Sequence, residues 1–122
     1  MSRGLRMNPR ATKLVFPLSG THSCATPVPL TAIYVLASPE DADRSRRICI
    51  ETLPPLEALR YVLSLTHNHD LTDRDRLTRQ FAAARRLVEI VSVRKLSYPR
   101  TLSTLPAVRD AVLADLQRSA RC

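Results

Sequence analysis

The sequence predicts an α+β domain in which a small, mostly antiparallel sheet of three to four short strands is packed with three helices. Three observations predict it. The 122 residues are the length of one domain. Short β-prone runs at 31–36, 48–52 and 91–96 are set apart by polar or proline-bearing turns. Between and after them, three longer stretches repeat apolar residues every three or four positions behind helix-start signals.

Residues 1–12 read as a flexible basic tail, polar and interrupted by Gly4 and Pro9. The domain is expected to occupy 13–118. Lys13–Phe16, closed by Pro17, reads as a short strand, and 17–27 (PLSGTHSCATP) as loop. Val28–Leu36 (VPLTAIYVL) is the strongest strand, and its unbroken apolarity predicts burial on both faces. Ile48 and Ile50 alternate with Arg47, Cys49 and Glu51, so 48–52 is expected to close a hairpin with 31–36 across a long solvated loop.

Pro54-Pro55 opens the first helix, where a missing N–H costs nothing. Its apolar stripe is read as Leu56, Leu59, Val62 and Leu63. His67-Asn68-His69-Asp70 stops it. Thr72 is expected to cap the second helix, with Asp73 and Asp75 complementing the positive end of its dipole. Leu77, Phe81, Ala84, Val88 and Val91 form its apolar stripe, with Arg74, Arg79, Arg85 and Arg86 off it. Val91–Leu96 (VSVRKL) reads as a strand. Ser103 or Thr104 caps the last helix, which has Pro106 in its first turn and an apolar face of Leu105, Val108, Ala111, Val112 and Leu116. The strand Ala32–Leu36 under helices 56–66 and 77–90 is expected to form the core, with Ile33 buried in it.

The chain is 44% hydrophobic and 25% charged, so disorder throughout is excluded. With no Trp, two Phe and three Tyr, the core must be aliphatic. The formal charge is +8, and half of the surplus lies in Arg3, Arg6, Arg10 and Lys13, with no acid among them. Elsewhere acids and bases are interleaved, as on a solvated surface rather than a single nucleic-acid face. Three widely spaced cysteines (Cys24, Cys49, Cys122) do not suit a secreted disulfide scaffold and point to a reducing, cytoplasmic compartment. The Arg-rich start also resembles a transit peptide in composition, but its basic residues show no amphipathic repeat. No apolar run is long enough to span a membrane.

A P-loop needs glycines whose N–H groups wrap phosphate and a lysine that reaches it. Only Gly4 and Gly20 are present, which removes the P-loop and the dinucleotide fingerprint alike. His67, His69 and Asp70 lack an identifiable further ligand for a metal. Ser19, Thr21, His22, Ser23 and Cys24 lack an oriented base and an oxyanion site. The only basic–aromatic grouping of the kind single-stranded nucleic acid uses is Tyr98 with Arg94, Lys95 and Arg100. No catalytic, cofactor-binding or metal residue is therefore assigned, and no cofactor is expected.

One resemblance covers residues 13–117. Pro27–Leu36 (PVPLTAIYVL) is followed by Leu53, Pro55, Glu57, Ala58 and Leu59 in an L-x-P-x-E-A-L pattern. An Arg-rich helix around Phe81, the strand VSVRKL and the tail Leu102–Leu116 (LSTLPAVRDAVLADL) follow. In this order they resemble the C-terminal region of bacterial HPr serine kinase-like proteins. The resemblance implies a place behind a nucleotide-binding core that uses ATP to phosphorylate a serine of HPr or another peptide. The phosphate-binding and catalytic motifs of that family have no counterpart here, so it implies a non-catalytic domain, inactive alone and acting in interaction or structure. Such a part arises by truncation, an alternative start or gene fission. The implied partners are a nucleotide-binding kinase core or a small protein or peptide substrate, and a homo-oligomer is a further expectation. Leu14, Val15 and Phe16 are expected to remain as exposed apolar surface. The alternative is a small basic nucleic-acid-binding or adaptor module.

Overall fold

The central strand of the protein is the last one in the chain. In a computed structural model that describes residues 5–6, 9–10, 12–38, 40–41, 46–66 and 73–120, the elements are β1 (Leu5–Arg6), β2 (Leu14–Val15), β3 (Ala32–Leu36), β4 (Cys49–Thr52), α1 (Pro55–Leu65), α2 (Arg74–Ile90), β5 (Ser92–Ser97) and α3 (Leu105–Ser119). Three-residue 3₁₀ turns lie at Gly20–His22 and Leu102–Thr104. The α+β class holds: three helices accompany a three-strand sheet of order β3-β5-β4.

The sheet is mixed. β3 runs parallel to β5 with Ile33 opposite Val93 and Val35 opposite Lys95, whereas β4 runs antiparallel to β5 with Ile50 opposite Leu96. The expected hairpin of 31–36 with 48–52 does not form. Each of these strands instead pairs with β5 from opposite sides. The physical reason is that β5 can satisfy hydrogen bonds on both edges, whereas a direct β3–β4 pair would leave it outside. Past the strands, Ala37 N–H donates to Leu96 O at 2.9 Å and Leu53 N–H to Val93 O at 3.0 Å. Within the span read as a basic tail, Leu5 and Arg6 pair antiparallel with Val15 and Leu14.

Strand alternation sorts the faces. Val35 and Val93 point to one face, where they meet Leu53 and Ala58, with Ile33, Tyr61, Val62 and Val88 around them. This is the core, and α1 and α2 cover it. Val35 is its buried β3 residue, while Ile33 is only half-buried and Leu36 is 52% exposed, so β3 is not buried on both faces as its sequence suggested. Tyr34 and Arg94 point to the opposite face, toward α3.

Helix α1 begins at Pro55 as expected, but its inward line is Ala58, Tyr61 and Val62. Leu56 is 71% exposed. The small Ala58 side chain lets the helix approach Val35 and Val93, and this rotates Leu56 outward. Helix α2 is capped by Asp73, whose Oδ1 accepts from Arg76 N–H at 3.1 Å. The expected cap, Thr72, and the 67–70 cluster lie outside the described residues. Ala84 is buried and Val88 packs on the core, but Phe81 is half-exposed rather than part of it. Helix α3 has Thr104 in the cap position with no side-chain cap bond. The 3₁₀ turn before it and Pro106 start the helix instead.

Leu53 and Leu56 flank the start of α1 but differ in burial, which separates the two accounts of the core. Leu53→Ala is expected to cost about 2–5 kcal/mol as a buried truncation, and Leu56→Ala to stay within about 0.5 kcal/mol as a surface change. Urea unfolding of the two variants checks this. Equal losses would mean that α1 is turned the other way.

Candidate functional site

The densest polar arrangement lies between β5 and α3. Arg94 sits on the central strand with only 8% of its surface exposed. Its Nη1 donates to Asp115 Oδ2 and pairs with that carboxylate. Its Nη2 donates to Ser119 Oγ at 2.6 Å, and its Nε donates to Ser92 Oγ at 3.1 Å. Tyr34, opposite Arg94 on β3, donates its hydroxyl to the same Asp115 Oδ2 at 2.6 Å. The guanidinium lies 6.0 Å from the Tyr34 ring centroid, and Arg118 approaches Asp115 Oδ1 at 3.6 Å. Asp115 and Ser119 are one helical turn apart, so both face β5.

The electrostatics do not favour proton transfer near neutral pH. Burial pushes the Asp115 carboxyl up, but hydrogen bonds from Tyr34 and Arg94 and the charges of Arg94 and Arg118 outweigh it and hold the carboxyl below its ordinary value. Burial, with the Asp115 carboxylate as acceptor, pushes the Tyr34 phenol up. The hydrogen bond to Asp115 raises Arg94 against the effect of burial. Each group is thus moved away from neutrality, the reverse of what general acid–base catalysis needs. The cluster is a clamp.

The residues singled out in the sequence are not assembled into a site. Ser19 Oγ lies 2.6 Å from His22 Nδ1 and 2.8 Å from Thr21 Oγ1. These are exposed contacts inside one 3₁₀ turn, closed by His22 N–H donating to Ser19 O at 2.9 Å. Cys24 is exposed, and Thr26, chiefly through its backbone, holds its thiol below the ordinary value. Asp73 and Asp75 serve the start of α2. Among the described residues, no three His, Cys, Asp or Glu side chains gather as a metal site. The basic–aromatic grouping around Tyr98 is dispersed. Arg94 is buried in the clamp, Lys95 pairs with Asp41 at 3.7 Å, and Arg100 donates to Ala37 O at 2.7 Å. Each of its three cations has a partner within the fold, though Arg100 remains exposed.

The signal that could have found the clamp is Arg94 itself, a charge in the middle of an otherwise β-prone run. Its partner Asp115, on an ordinary amphipathic helix, carried no signal. No protein family, curated protein or solved structure matches the chain. No described helix is long and apolar enough to cross a membrane.

The clamp makes stability depend on pH at both ends. Asp115 is depressed in the fold, so its contribution is complete above the ordinary carboxylate value near ~3.9 and is lost as pH falls through the folded value. Tyr34 is raised, so its contribution is complete below about 10 and is lost as pH rises through the folded value. Asp115→Asn is expected to cost about 3–5 kcal/mol, because Arg94 is left buried without its counter-charge, and to flatten the acid limb. Pairing Asp115→Leu with Arg94→Met should recover most of the loss. Thermal unfolding between acid and alkaline pH checks both, and an acid limb unchanged in Asp115→Asn would refute the assignment.

Proposed function

We propose that the chain is a non-catalytic interaction domain equivalent to the C-terminal region of an HPr serine kinase-like protein. It acts in the cytoplasm by joining a nucleotide-binding kinase core rather than by binding ATP itself. The observation that carries the reading is the outer edge of β3. Among the described residues no strand pairs with that edge, and β3 itself (AIYVL) holds neither a charged residue nor a proline. Edge strands of self-sufficient domains are usually blunted by charge, proline or a cover. The residues leading into β3 have the same character: Leu14, Val15, Phe16, Leu18, Val28 and Leu30 are all exposed. A partner that adds a strand to β3 and covers this segment would supply what the edge lacks.

The resemblance over 13–117 selects a kinase core as that partner, and the scarcity of glycine assigns ATP binding to the core. Calorimetry is expected to show no saturable ATP binding by the chain alone at micromolar concentrations. Sedimentation velocity is expected to show a complex with a separately purified P-loop core of an HPr serine kinase-like protein. Leu36→Lys places a charge on the open edge strand at a residue that is 52% exposed and should weaken that complex about tenfold or more. Saturable ATP binding by the chain alone, or a complex indifferent to Leu36→Lys, would overturn the reading.

A further inference from the structure

The groove formed by the end of α1 and the first half of α2 is a second surface, separate from the β3 edge. Leu63 and Leu77 line a hollow of about 650 Å³ there, with Arg74 at its rim. On the other side of Phe81 lies a second hollow of about 450 Å³, rimmed by Arg85 and Arg86. Phe81 belongs to both and is 50% exposed. It lies on the helical stripe that carries Ala84 and Val88 to the core, yet it stays outside because α2 meets the sheet only in its second half.

The charge around this aromatic is one-sided. Three arginines rim the two hollows, and among the described residues the only carboxylate lining them is Glu89, which pairs with Arg85 at 3.3 Å in an exposed i,i+4 contact. Such a pair contributes little and exchanges readily for another carboxylate. Arg74 and Arg86 form no ion pair with the described residues. A half-exposed Phe in a concave apolar setting, ringed by arginine, has the composition of an interface centre. Guanidinium groups select planar carboxylates, which they bind bidentately.

We propose that this groove docks an acidic amphipathic helix of a partner protein, with an apolar side chain of that helix against Phe81 and Leu77 and its carboxylates on Arg74 and Arg86. Charge complementarity decides the occupant. A second copy of the chain would bring the same arginines and a net charge of +8 to the contact. Single-stranded nucleic acid requires a row of aromatics for successive bases, and the groove offers one.

The test uses the whole chain and three fluorescein-labelled probes, read by anisotropy near physiological salt. The first is a synthetic amphipathic helix with Leu on one face and Glu on the other. The second has the same composition in scrambled order, and the third is an oligothymidylate. The ordered Glu helix should bind saturably and more tightly than the scrambled one, and its affinity should fall as salt rises. Phe81→Ala should weaken it about tenfold or more, and Arg86→Glu should weaken it comparably. Both positions are solvent-facing, so unchanged thermal unfolding certifies the variants. Equal binding of ordered and scrambled peptides, no saturable binding, or insensitivity to Phe81→Ala would overturn the proposal. So would oligothymidylate binding that both substitutions abolish, or self-association that depends on Phe81. The β3 edge variant Leu36→Lys should leave Glu-helix binding unchanged, which keeps this surface distinguishable from the kinase-core contact.

Discussion

Arg94 is the residue around which the rest of the structure is arranged. It lies on β5, the only strand of the three-strand sheet with a neighbour on both sides, so it cannot turn to water at an edge. A guanidinium in that position must be matched where it stands, because an unmatched buried charge costs several kcal/mol. Three elements supply the match: β5 itself through Ser92, β3 through the Tyr34 hydroxyl on the shared carboxylate, and α3 through Asp115 and Ser119. The spacing of Asp115 and Ser119 permits one rotation and one height of α3 against the sheet. A buried ion pair is weak evidence of net stability, since apolar replacements often serve as well. What Arg94 fixes is position. It ties the last helix to the strand that also organises the opposite face.

That opposite face is thinly built. Its buried members are Val35, Leu53, Ala58 and Val93, and none of the described side chains is completely enclosed. The scarcity of aromatic residues has its consequence here, because small aliphatic side chains cover the sheet in a single layer. Ala58 and Ala84 bring α1 and α2 close to it, and the larger Leu56 and Phe81, which would thicken the core, face outward. The two faces share one backbone. Val93 serves the aliphatic face and Arg94 the polar one, so a shift of β5 to relieve one side disturbs the other.

The parts of the fold that were legible in the sequence are those set by local chemistry. Pro55, the Asp73–Asp75 start and Pro106 mark helix starts through backbone groups within a turn or two, and the three helices lie where those signals put them. Strand positions followed from β-branched runs for the same reason. Pairing was not legible, because β3 joins β5 across the intervening β4, α1 and α2, and nothing in Ala32–Leu36 names its neighbour. The hairpin reading took nearness in sequence for nearness in space. Helix rotation failed for a related reason: periodicity marks a stripe, but the size of Ala58 decided which side of α1 meets the sheet. Arg94 is visible in the sequence only as part of the basic–aromatic grouping with Tyr98, Lys95 and Arg100, since only the docking of α3 converts that strand face into an interior one.

The two edges of the sheet are not equivalent. β4 is four residues long, carries Glu51 and is nearly all exposed. Glu51 lies opposite Lys95, which Asp41 also approaches at 3.7 Å, so that side of the sheet is dressed in charge. A second strand arriving there would have to desolvate those groups. β3 carries no charge, and its parallel pairing with β5 gives its open side the evenly spaced, slanted hydrogen-bonding groups that parallel sheets bury. Parallel pairs are characteristic of sheets covered on both faces. The two edges of the sheet therefore differ in the charge they carry, Glu51 on β4 against none on β3.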